Sequence, residues 1–429
     1  MYYPVKSKRI LAKDIFADNN TWATGLNNND LIIGPAGAGK TRGYVTPNIL
    51  HTQENLVIAD TKGNLRKKYG GHLEKRGYTV MHLDFTDVAA TPFGYNPLSY
   101  IRKYPDSEYS REGDDYNEQD IKKVAQAICP IQSSKDPFWD VAAQMYLEAI
   151  ILFVMNQLPE EQHDLCEAYT FLANMNTEEL ENMVEEEIIT NPNSAFSRKI
   201  RMIRQNTRAE KMDASIKGIL AQHLDVVAYS GVKRMFRMEP QVDLDAFLHG
   251  KTALFLSVSD SDRSQDILIN LFYTQALQYL MAAADRLPDS RLPIPVRFIL
   301  DDFSTNTVIP DFDKIISVIR SREIYVSLIV QSLSQLEGLY DHARAQTIIN
   351  NCDHCLYLGG ADTQTARYFA EKFNCQVSTV LNLPLDSMFI FTRGSEPRRA
   401  QKYDLERDKI YSSLRRAQER RPEGRDYEK

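Results

Sequence analysis

Eight consecutive residues, Gly34 to Thr41, carry the clearest chemical signal in the sequence. They read GPAGAGKT, match the phosphate-binding pattern G-x-x-x-x-G-K-[ST] in full, and follow the apolar run DLIIG (30–34). In such a loop, backbone N–H groups surround the phosphates of a nucleotide, and the N-terminus of the next helix adds a favourable dipole. We therefore predict that Lys40 reaches the β- and γ-phosphates and that Thr41 holds Mg²⁺. The predicted nucleotide-binding residues are Gly34, Pro35, Ala36, Gly37, Ala38, Gly39, Lys40 and Thr41.

Two predicted strands end in acidic residues that could complete this site. NLVIAD (55–60) ends at Asp60, and VRFILDD (296–302) ends at Asp301 and Asp302. Mg²⁺ needs a carboxylate beside the phosphate-binding strand, and hydrolysis needs another group that orients water. Only the second strand supplies both, so Asp301 is the predicted Mg²⁺ residue, and Asp60 is predicted to be structural or adjacent to the nucleotide.

Polar residues also flank the predicted strand YVSLIVQS (325–332). Gln331, near its end, could sense the γ-phosphate, while Arg320 or Arg322, before it, could cross to a neighbouring subunit as an arginine finger. A capping glutamine and surface arginines are the structural alternatives. The sequence contains no N-K-x-D motif for guanine, so the predicted nucleotide is ATP rather than GTP.

Composition narrows the class of protein. Five cysteines in 429 residues indicate a reduced, cytosolic protein rather than a disulfide-linked secreted one. The pair in CDHC (352–355) lacks a second ligand pair at zinc spacing, so we predict two ordinary buried cysteines. The start of the chain lacks the apolar core of a signal peptide. The apolar stretch 141–158 contains Gln144 and Glu148 and is predicted to be a buried amphipathic helix rather than a membrane span.

Charge is unevenly distributed along the chain. The net charge of −7 argues against affinity of the whole surface for nucleic acid, but a basic segment follows an acidic block after residue 197. Its cations recur at steps of three and four residues, which predicts one helical face that could contact DNA phosphates or cargo. An ordinary solvated face is the alternative. The candidate residues are Arg201, Arg204, Arg208 and Lys211.

Short apolar runs that alternate with helical segments predict an α/β fold with parallel βαβ units. The predicted strands are residues 30–34, 55–60, 78–84, 252–259, 296–302, 325–332, 355–360 and 387–394. Residues 105–237 have a helical pattern and are predicted to be an all-α insertion of roughly 130 residues. It divides a nucleotide-binding domain formed by residues 1–104 and 238–395, and residues 396–429 form a charged tail, frayed or helical.

The order of these motifs resembles that of type IV secretion coupling proteins, the TraG/TraD-like DNA-pumping ATPases of bacterial conjugation. The similarity covers most of the chain, and the order FILDDF, IPDF, IRSR and QSLSQL is more specific than the phosphate-binding loop alone. The other similar segments are VIADTKGNL, FGYNPL, DPFWDVAAQMYLEAIILFV and NNCDHCLYLGGAD.

The resemblance implies a RecA-like P-loop NTPase domain with an inserted all-α domain that faces the cytoplasm and meets cargo. It implies a hexameric ring that uses ATP and Mg²⁺ to move single-stranded DNA, with its attached relaxase, toward the secretion channel. The implied partners are relaxosome proteins and inner-membrane components of the secretion system, or a separate membrane anchor, at the cytoplasmic face of the membrane.

The resemblance also assigns roles to individual residues. Lys40 and Thr41 correspond to the family's P-loop residues and Asp301 to its Walker B aspartate, while Asp302 stands at the position of its catalytic glutamate. Arg320 corresponds to the arginine that acts in trans, and Gln331 to the glutamine at the strand end.

Two features depart from the family pattern. Most members begin with transmembrane helices, which this sequence does not show, so it is either a soluble fragment or a member tethered by a membrane partner. Asp302 is one carbon–carbon bond, ~1.5 Å, shorter than glutamate. Misplacement on the order of 1 Å can reduce rates about 100-fold, so we expect slow hydrolysis that DNA and ring assembly stimulate.

Two other functions remain open from the sequence. The chain could be a receptor that binds ATP without pumping and recruits relaxosome cargo through its helical domain. A related ring motor for chromosome or protein export is disfavoured by the residues that follow Asp302.

Overall fold

The computed structural model describes residues 7–61, 63–104, 115–131, 137–206, 210–301, 303 and 308–419. The strands are β1 (Lys8–Ala12), β2 (Ile15–Asp18), β3 (Asp30–Ile33), β4 (Asn55–Thr61), β5 (Thr79–Asp84), β6 (Thr252–Val258), β7 (Val296–Leu300), β8 (Ile324–Val330), β9 (His354–Tyr357), β10 (Ser387–Thr392) and β11 (Arg398–Gln401). The helices are α1 (Thr21–Thr24), α2 (Thr46–His51), α3 (Asn64–Lys75), α4 (Glu118–Ile128), α5 (Phe138–Gln157), α6 (Leu165–Asn174), α7 (Glu178–Thr190), α8 (Ala195–Asn206), α9 (Glu210–Leu224), α10 (Ser230–Arg237), α11 (Ala246–His249), α12 (Asp266–Arg286), α13 (Phe312–Val318), α14 (Leu333–Asn350), α15 (Thr363–Lys372), α16 (Val377–Leu381) and α17 (Lys409–Glu419).

Among the described residues, nine strands form one sheet in the order β11-β10-β9-β3-β8-β7-β4-β6-β5, and β1 pairs with β2 as a separate hairpin. The six strands β9, β3, β8, β7, β4 and β6 are parallel to one another, whereas β10 is antiparallel to both β9 and β11. Every residue of β3, β6, β7 and β8 is buried, as is typical of parallel strands covered on both faces. The α/β architecture is the one predicted from the alternating apolar and helical segments.

Helix α5 forms the centre of the helical region. It packs against α4, α6, α8 and α9, and nearly all of its residues from Ala142 to Met155 are buried. The two polar residues in this apolar stretch have partners. Gln144 donates from Nε2 to the Cys129 carbonyl at 2.6 Å, and Glu148 forms an ion pair with Lys199. The predicted buried helix is therefore confirmed for the segment 141–158, of which α5 covers all but the last residue.

In the described part of the chain, α5 and α12 are long and apolar enough to cross a membrane by length and composition alone. Most residues of each apolar window are buried inside the fold, 72% in α5 and 67% in α12. Burial of this extent is what core helices of folded domains show.

The chain divides into two compact units. One consists of Met1–His82, Asp243–Ser261 and Leu280–Lys429, and it contains most of the sheet and the phosphate-binding loop. The other consists of Leu83–Val242 and Asp262–Tyr279, and it contains α4 to α10. The domain limits drawn from the sequence, at residues 104/105 and 237/238, stay a prediction.

The structure describes the segment after residue 396 up to residue 419. It contributes β11 to the edge of the sheet, a short 3₁₀ turn at Leu405–Arg407, and α17. Apolar side chains of α17, including Ile410 and Leu414, pack against the core cluster beside the sheet. Within the described residues, this packing holds α17 against the unit that contains the phosphate-binding loop.

Candidate nucleotide site

The predicted phosphate-binding loop begins where β3 ends and leads into a helix. A π-helical turn over Thr41–Val45 opens this helix, and α2 continues it. Gly37 and Gly39 have φ angles of +77° and +87°, in the left-handed region that favours glycine. The loop sits at a strand-to-helix junction, and π-helical turns are frequent at functional sites.

Gly34 is the point of closest packing in the loop. A Cβ atom at this position would lie 2.9 Å from the Ala38 Cβ and 3.1 Å from the Leu358 Cβ, so a side chain does not fit without movement. The N–H of Gly34 donates to the Val330 carbonyl at 3.1 Å, which ties the loop to the end of β8. The loop is thereby fixed between the ends of β8 and β9.

The Lys40 ammonium lies within the loop. It is 8% exposed, and it donates to the Gly34 carbonyl at 2.6 Å and the Pro35 carbonyl at 3.1 Å. An ammonium held by carbonyls at the loop is close enough to exchange them for phosphate oxygens, which are stronger acceptors because they are charged.

Thr41 and Asp301, predicted to share Mg²⁺, are brought together. The Thr41 hydroxyl donates to the Asp301 carboxylate at 2.9 Å, and Asp301 directly follows β7 and is buried. Both groups offer the hard oxygen ligands that Mg²⁺ prefers, and Mg²⁺ usually takes one or two protein oxygens beside waters and phosphate oxygens. The pair fits such an ion, whereas the described residues contain no cluster of three or more His, Cys, Asp or Glu side chains that could enclose a metal.

Sheet order explains why these residues meet. Strands β3, β8 and β7 are adjacent and parallel, so their carboxyl ends lie at one edge of the sheet. Gln331 follows Val330, which pairs with Ile33 one residue before the loop. Gln331 is exposed at this edge and directly follows Val330, whose carbonyl accepts the Gly34 N–H. Asp302 lies outside the described residues, so its predicted role stays a prediction.

Asp60 has a structural role at the end of β4. Its carboxylate accepts the backbone N–H groups of Leu65 at 2.9 Å and Arg66 at 2.8 Å, in the first turn of α3. Free N–H groups at a helix start are commonly satisfied in this way. Of the two alternatives that the sequence left open for Asp60, these contacts favour the structural one.

The two arginines before β8 differ in how firmly they are held. Arg322 makes a bidentate ion pair with Asp285, with distances of 2.8 and 3.0 Å. Arg320 makes one longer hydrogen bond, 3.3 Å, to the Thr21 carbonyl. Both precede β8, whereas the phosphate-binding loop lies at its far end, about 23 Å away at ~3.3 Å per strand residue. Neither side chain can reach the loop of its own chain.

Three of the four residues predicted to form a basic face lie within the described residues. Arg201 and Arg204 lie on α8, Lys211 lies on α9, and Arg208 falls outside the described residues. Residues 207–209, which connect α8 to α9, lie outside the described residues, so the prediction of a single face stays a prediction. Arg204 is paired with Glu185 of α7 at 2.6 Å, and Arg201 donates to the Ser197 carbonyl of its own helix. Glu185 thus partly neutralises this surface.

The CDHC segment is buried at the start of β9. Cys352 and Cys355 are free thiols, and burial raises the pKa of Cys355 to about 12, which keeps it protonated and inert. His354 is also buried, and burial lowers its pKa to about 4. These contacts agree with two ordinary buried cysteines.

One residue at the loop had no signal in the sequence. The Lys402 ammonium donates to the Ala38 carbonyl at 2.9 Å and the Leu358 carbonyl at 3.0 Å. Lys402 lies more than 360 residues after the loop in a segment with many charges, so no motif or periodicity marks it. Only the position of β11 at the sheet edge reveals the contact.

The parallel sheet, the glycine-rich loop at a strand-to-helix junction and the contact between Thr41 and Asp301 define a P-loop NTPase fold of the RecA-like class. The chain matches the family described as "Type IV secretory system Conjugative DNA transfer" over residues 4–375. It therefore belongs to this family, the type IV secretion coupling proteins, and the resemblance drawn from its motifs is confirmed.

Individual relatives are distant in sequence. VirD4 of Rhizobium rhizogenes is 23% identical over 361 residues, which cover 82% of this chain and 50% of VirD4. The chain thus spans about half the length of the curated relatives it matches. The conjugative coupling protein TrwB, solved without its first 70 residues in an unbound form, has a TM-score of 0.68 at 14% identity, covering 93% of this chain and 89% of TrwB.

TrwB has also been solved with nucleotides. Its complex with ADPNP, a non-hydrolysable ATP analogue, has a TM-score of 0.65, and its complex with ADP and Mg²⁺ one of 0.66. Each is 14% identical to this chain and covers 92% of this chain and 89% of TrwB. This similarity shows that the fold is the predicted RecA-like one with added helices.

Proposed function

We propose that the chain is an ATP-driven motor that moves single-stranded DNA, with an attached relaxase, to a conjugative type IV secretion channel. The hydrogen bond between Thr41 and Asp301 beside the phosphate-binding loop, in a member of this family, carries the proposal. TrwB, which shares the fold, binds an ATP analogue and ADP with Mg²⁺. ATP and Mg²⁺ are accordingly the proposed ligands of this chain.

The roles of the site residues follow from their positions. Backbone N–H groups of the loop bind the phosphates, and Lys40 exchanges its two carbonyl acceptors for charged phosphate oxygens. Thr41 and Asp301 hold Mg²⁺, which when bound neutralises developing charge on the phosphates. Gln331, exposed at the edge where β3 and β8 end, responds to the γ-phosphate.

Arg320 is proposed to act on the site of a neighbouring subunit. Because it lies at the opposite end of β8 from its own loop, it can complete a site only in an assembly of several copies. Head-to-tail contacts of this kind close into rings, and a hexamer is the proposed working form. The proposed partners are relaxosome proteins and inner-membrane secretion components or a separate anchor, at the cytoplasmic face of the membrane.

The experiment that tests this function measures ATP turnover by wild type, Lys40→Ala and Asp301→Asn, each with and without single-stranded DNA. We expect slow turnover in the wild type that DNA stimulates, and loss of turnover in both variants. Binding of a fluorescent ATP analogue is measured in parallel. Asp301→Asn, which keeps the size of the side chain, should retain binding in the absence of Mg²⁺.

The outcomes separate the motor from the alternative receptor. Equal turnover in wild type and Lys40→Ala would contradict the motor. Analogue binding without turnover, together with tight relaxase binding, would favour a receptor that recruits cargo. Measuring the mass in solution with analogue and DNA then tests the ring.

A further inference from the structure

Lys402 connects the last strand of the sheet to the phosphate-binding loop. It follows β11, and its backbone N–H donates to the Asp386 carbonyl at 2.8 Å, which fixes the main chain at the end of the β10–β11 hairpin. From there the side chain extends to the Ala38 carbonyl of the loop and to the Leu358 carbonyl just after β9. One ammonium therefore joins two backbone segments that flank the nucleotide site.

The contact to Ala38 sets the orientation of a peptide that the loop uses. In a planar trans peptide the C=O and the following N–H point in opposite directions. Holding the Ala38 carbonyl toward Lys402 therefore directs the Gly39 N–H away from Lys402. Gly39 has φ at +87°, and a Cβ atom added there would meet no atom of a non-adjacent residue within 4 Å. An unanchored peptide can therefore rotate at this glycine.

The second hydrogen bond of Lys402 joins it to the backbone at Leu358, just after β9. Leu358 donates its N–H to the Ile33 carbonyl at 2.8 Å, immediately before the loop, and its side chain packs against Gly34 together with Ala38. Ala38 and Leu358 are thus already connected through Gly34 and Ile33, and Lys402 adds a direct link between them. Movement of Ala38 away from Leu358 would break at least one of the two hydrogen bonds of the ammonium.

The surroundings of Lys402 shield its side chain from solvent and hold the chain that follows it. The ammonium is half-buried, and burial lowers its pKa. The rest of the segment is held to the helix after the loop, where Glu406 pairs with Arg42 and Asp408 with His51, each at 2.6 Å. The chain on the C-terminal side of Lys402 is therefore anchored independently of the ammonium.

We propose that Lys402 is a positioning residue for ATP binding, which keeps the Ala38–Gly39 peptide in the orientation that presents its N–H to the phosphates. The inference rests on the proposed function, because it assumes that the loop binds ATP. It adds the C-terminal segment to the nucleotide site, which the spacing of the loop pattern alone does not include.

The test compares wild type with Lys402→Met, which keeps an unbranched side chain one atom shorter and removes the donors and the charge. Hydrogen bonds from charged groups contribute more than neutral ones, and we expect the dissociation constant for an ATP analogue and the KM for ATP to rise about tenfold. The kcat should change less than threefold or so, since a positioning residue makes no contact that forms only in the transition state. Lys402→Arg, which can donate to both carbonyls, should restore most of the affinity.

Lys13→Met is the matched control. The Lys13 ammonium also contacts the end of β11, at Gln401 Oε1 and 3.0 Å, but it is exposed and touches no residue of the loop in the described contacts. It should leave KM unchanged. Equal KM in wild type and Lys402→Met, or a fall in kcat alone, would overturn the inference.

Two further results keep the inference distinct from the proposed function and from misfolding. If wild type and Lys40→Ala bind the analogue equally weakly, the proposed function fails. If wild type binds the analogue and Lys402→Met binds it with the same affinity, only the inference is refuted. If Lys402→Met does not fold, Lys402→Gln, which keeps one neutral donor group, takes its place. It should also raise KM, and unchanged affinity in folded Lys402→Gln would refute the proposed role.

Discussion

Replacing Arg320 by alanine should abolish turnover without affecting ATP binding by the same subunit. Seven strand residues of β8 separate the turn that contains Arg320 from the carboxyl edge where Gln331 and the loop lie, a distance of about 23 Å at ~3.3 Å per residue. An arginine side chain spans only about 7 Å from its Cα, at ~1.5 Å per bond. The residue can therefore contribute only to another subunit's site.

The size of the loss follows from what such an arginine does. Arginine fingers stabilise the transition-state charge and contribute about 10³- to 10⁵-fold in kcat. Arg320 is held in the isolated chain by one 3.3 Å hydrogen bond to a carbonyl, which is weak enough to exchange for a phosphate. We expect Arg320→Ala to lower kcat by about 10³-fold and to leave the affinity for an ATP analogue within roughly twofold of wild type.

Mixing two inactive variants tests the direction of action. Lys40→Ala has no working loop, and Arg320→Ala has no finger, so neither turns over alone. In rings assembled from equal amounts of the two variants, half of the subunits have an intact loop, and half of the neighbours of those subunits have an intact Arg320. About a quarter of wild-type turnover should return, since each site needs one of each across a head-to-tail interface. Turnover and ring mass are measured together with single-stranded DNA.

Arg322→Ala is the control, because Arg322 lies in the same turn but is bound bidentately to Asp285. It should retain turnover when rings form. Recovery in no mixture, although mixed rings are observed, would refute action in trans. Normal turnover by Arg320→Ala would refute the role of this residue altogether.

Three further outcomes follow from the sequence and the structure. Asp302→Glu should raise kcat about tenfold or more and Asp302→Asn should lower it, because a correction on the order of 1 Å can change rates about 100-fold; ATP turnover with DNA measures both. His354, whose pKa is lowered by burial to about 4, binds a proton more readily in the unfolded chain, so stability present above pH 6.5 is lost as pH falls toward 4. Between pH 7 and pH 5, the free energy of unfolding measured in urea should fall by about 2 kcal/mol more for wild type than for His354→Gln. Equal falls in the two proteins would contradict this. Arg204→Glu should weaken binding to DNA at low salt less than Arg201→Glu, since Glu185 already pairs with Arg204, and equal effects measured by fluorescence anisotropy would contradict that ranking.

The strands and the loop could be predicted because their signals are local. The buried parallel strands β3, β7 and β8 appear in the sequence as continuous apolar runs, and the loop needs glycine at left-handed positions, so residue type and spacing reveal both. The contact between Thr41 and Asp301 could also be anticipated, because adjacent parallel strands end at the same edge.

Other features depend on contacts between distant parts of the chain. The hairpin strand β2 and the edge strand β11 are four residues each, and β11 reads RRAQ, which has no apolar alternation. Charged residues at a sheet edge are common because they prevent further pairing, and they conceal the strand from any apolar pattern. The contacts of Lys402 and the pairing of Arg204 with Glu185 were not predictable either, because both join separate elements of the fold.

The two ends of the sheet also differ in how their charges are used. At the amino end, burial alone would raise the pKa of Asp30, but Arg9 and Arg297 beside it hold that pKa below its usual value. Arg297 belongs to β7, and its guanidinium donates to the Ser327 hydroxyl of β8 at 3.2 Å. The same guanidinium lies 3.6 Å from the Asp30 carboxylate of β3. The same three strands present Asp301, Gln331 and the phosphate-binding loop at their other end.

Because a strand slipped by one residue would turn its side chains to the opposite face, these buried contacts help to fix the register that brings Asp301 to Thr41. Buried ion pairs add little net stability compared with apolar packing, but they penalise any arrangement that leaves one charge unpaired. Fully paired charges at one end therefore specify the alignment of strands. The other end can then keep the Lys40 ammonium, whose carbonyl partners a charged phosphate can displace.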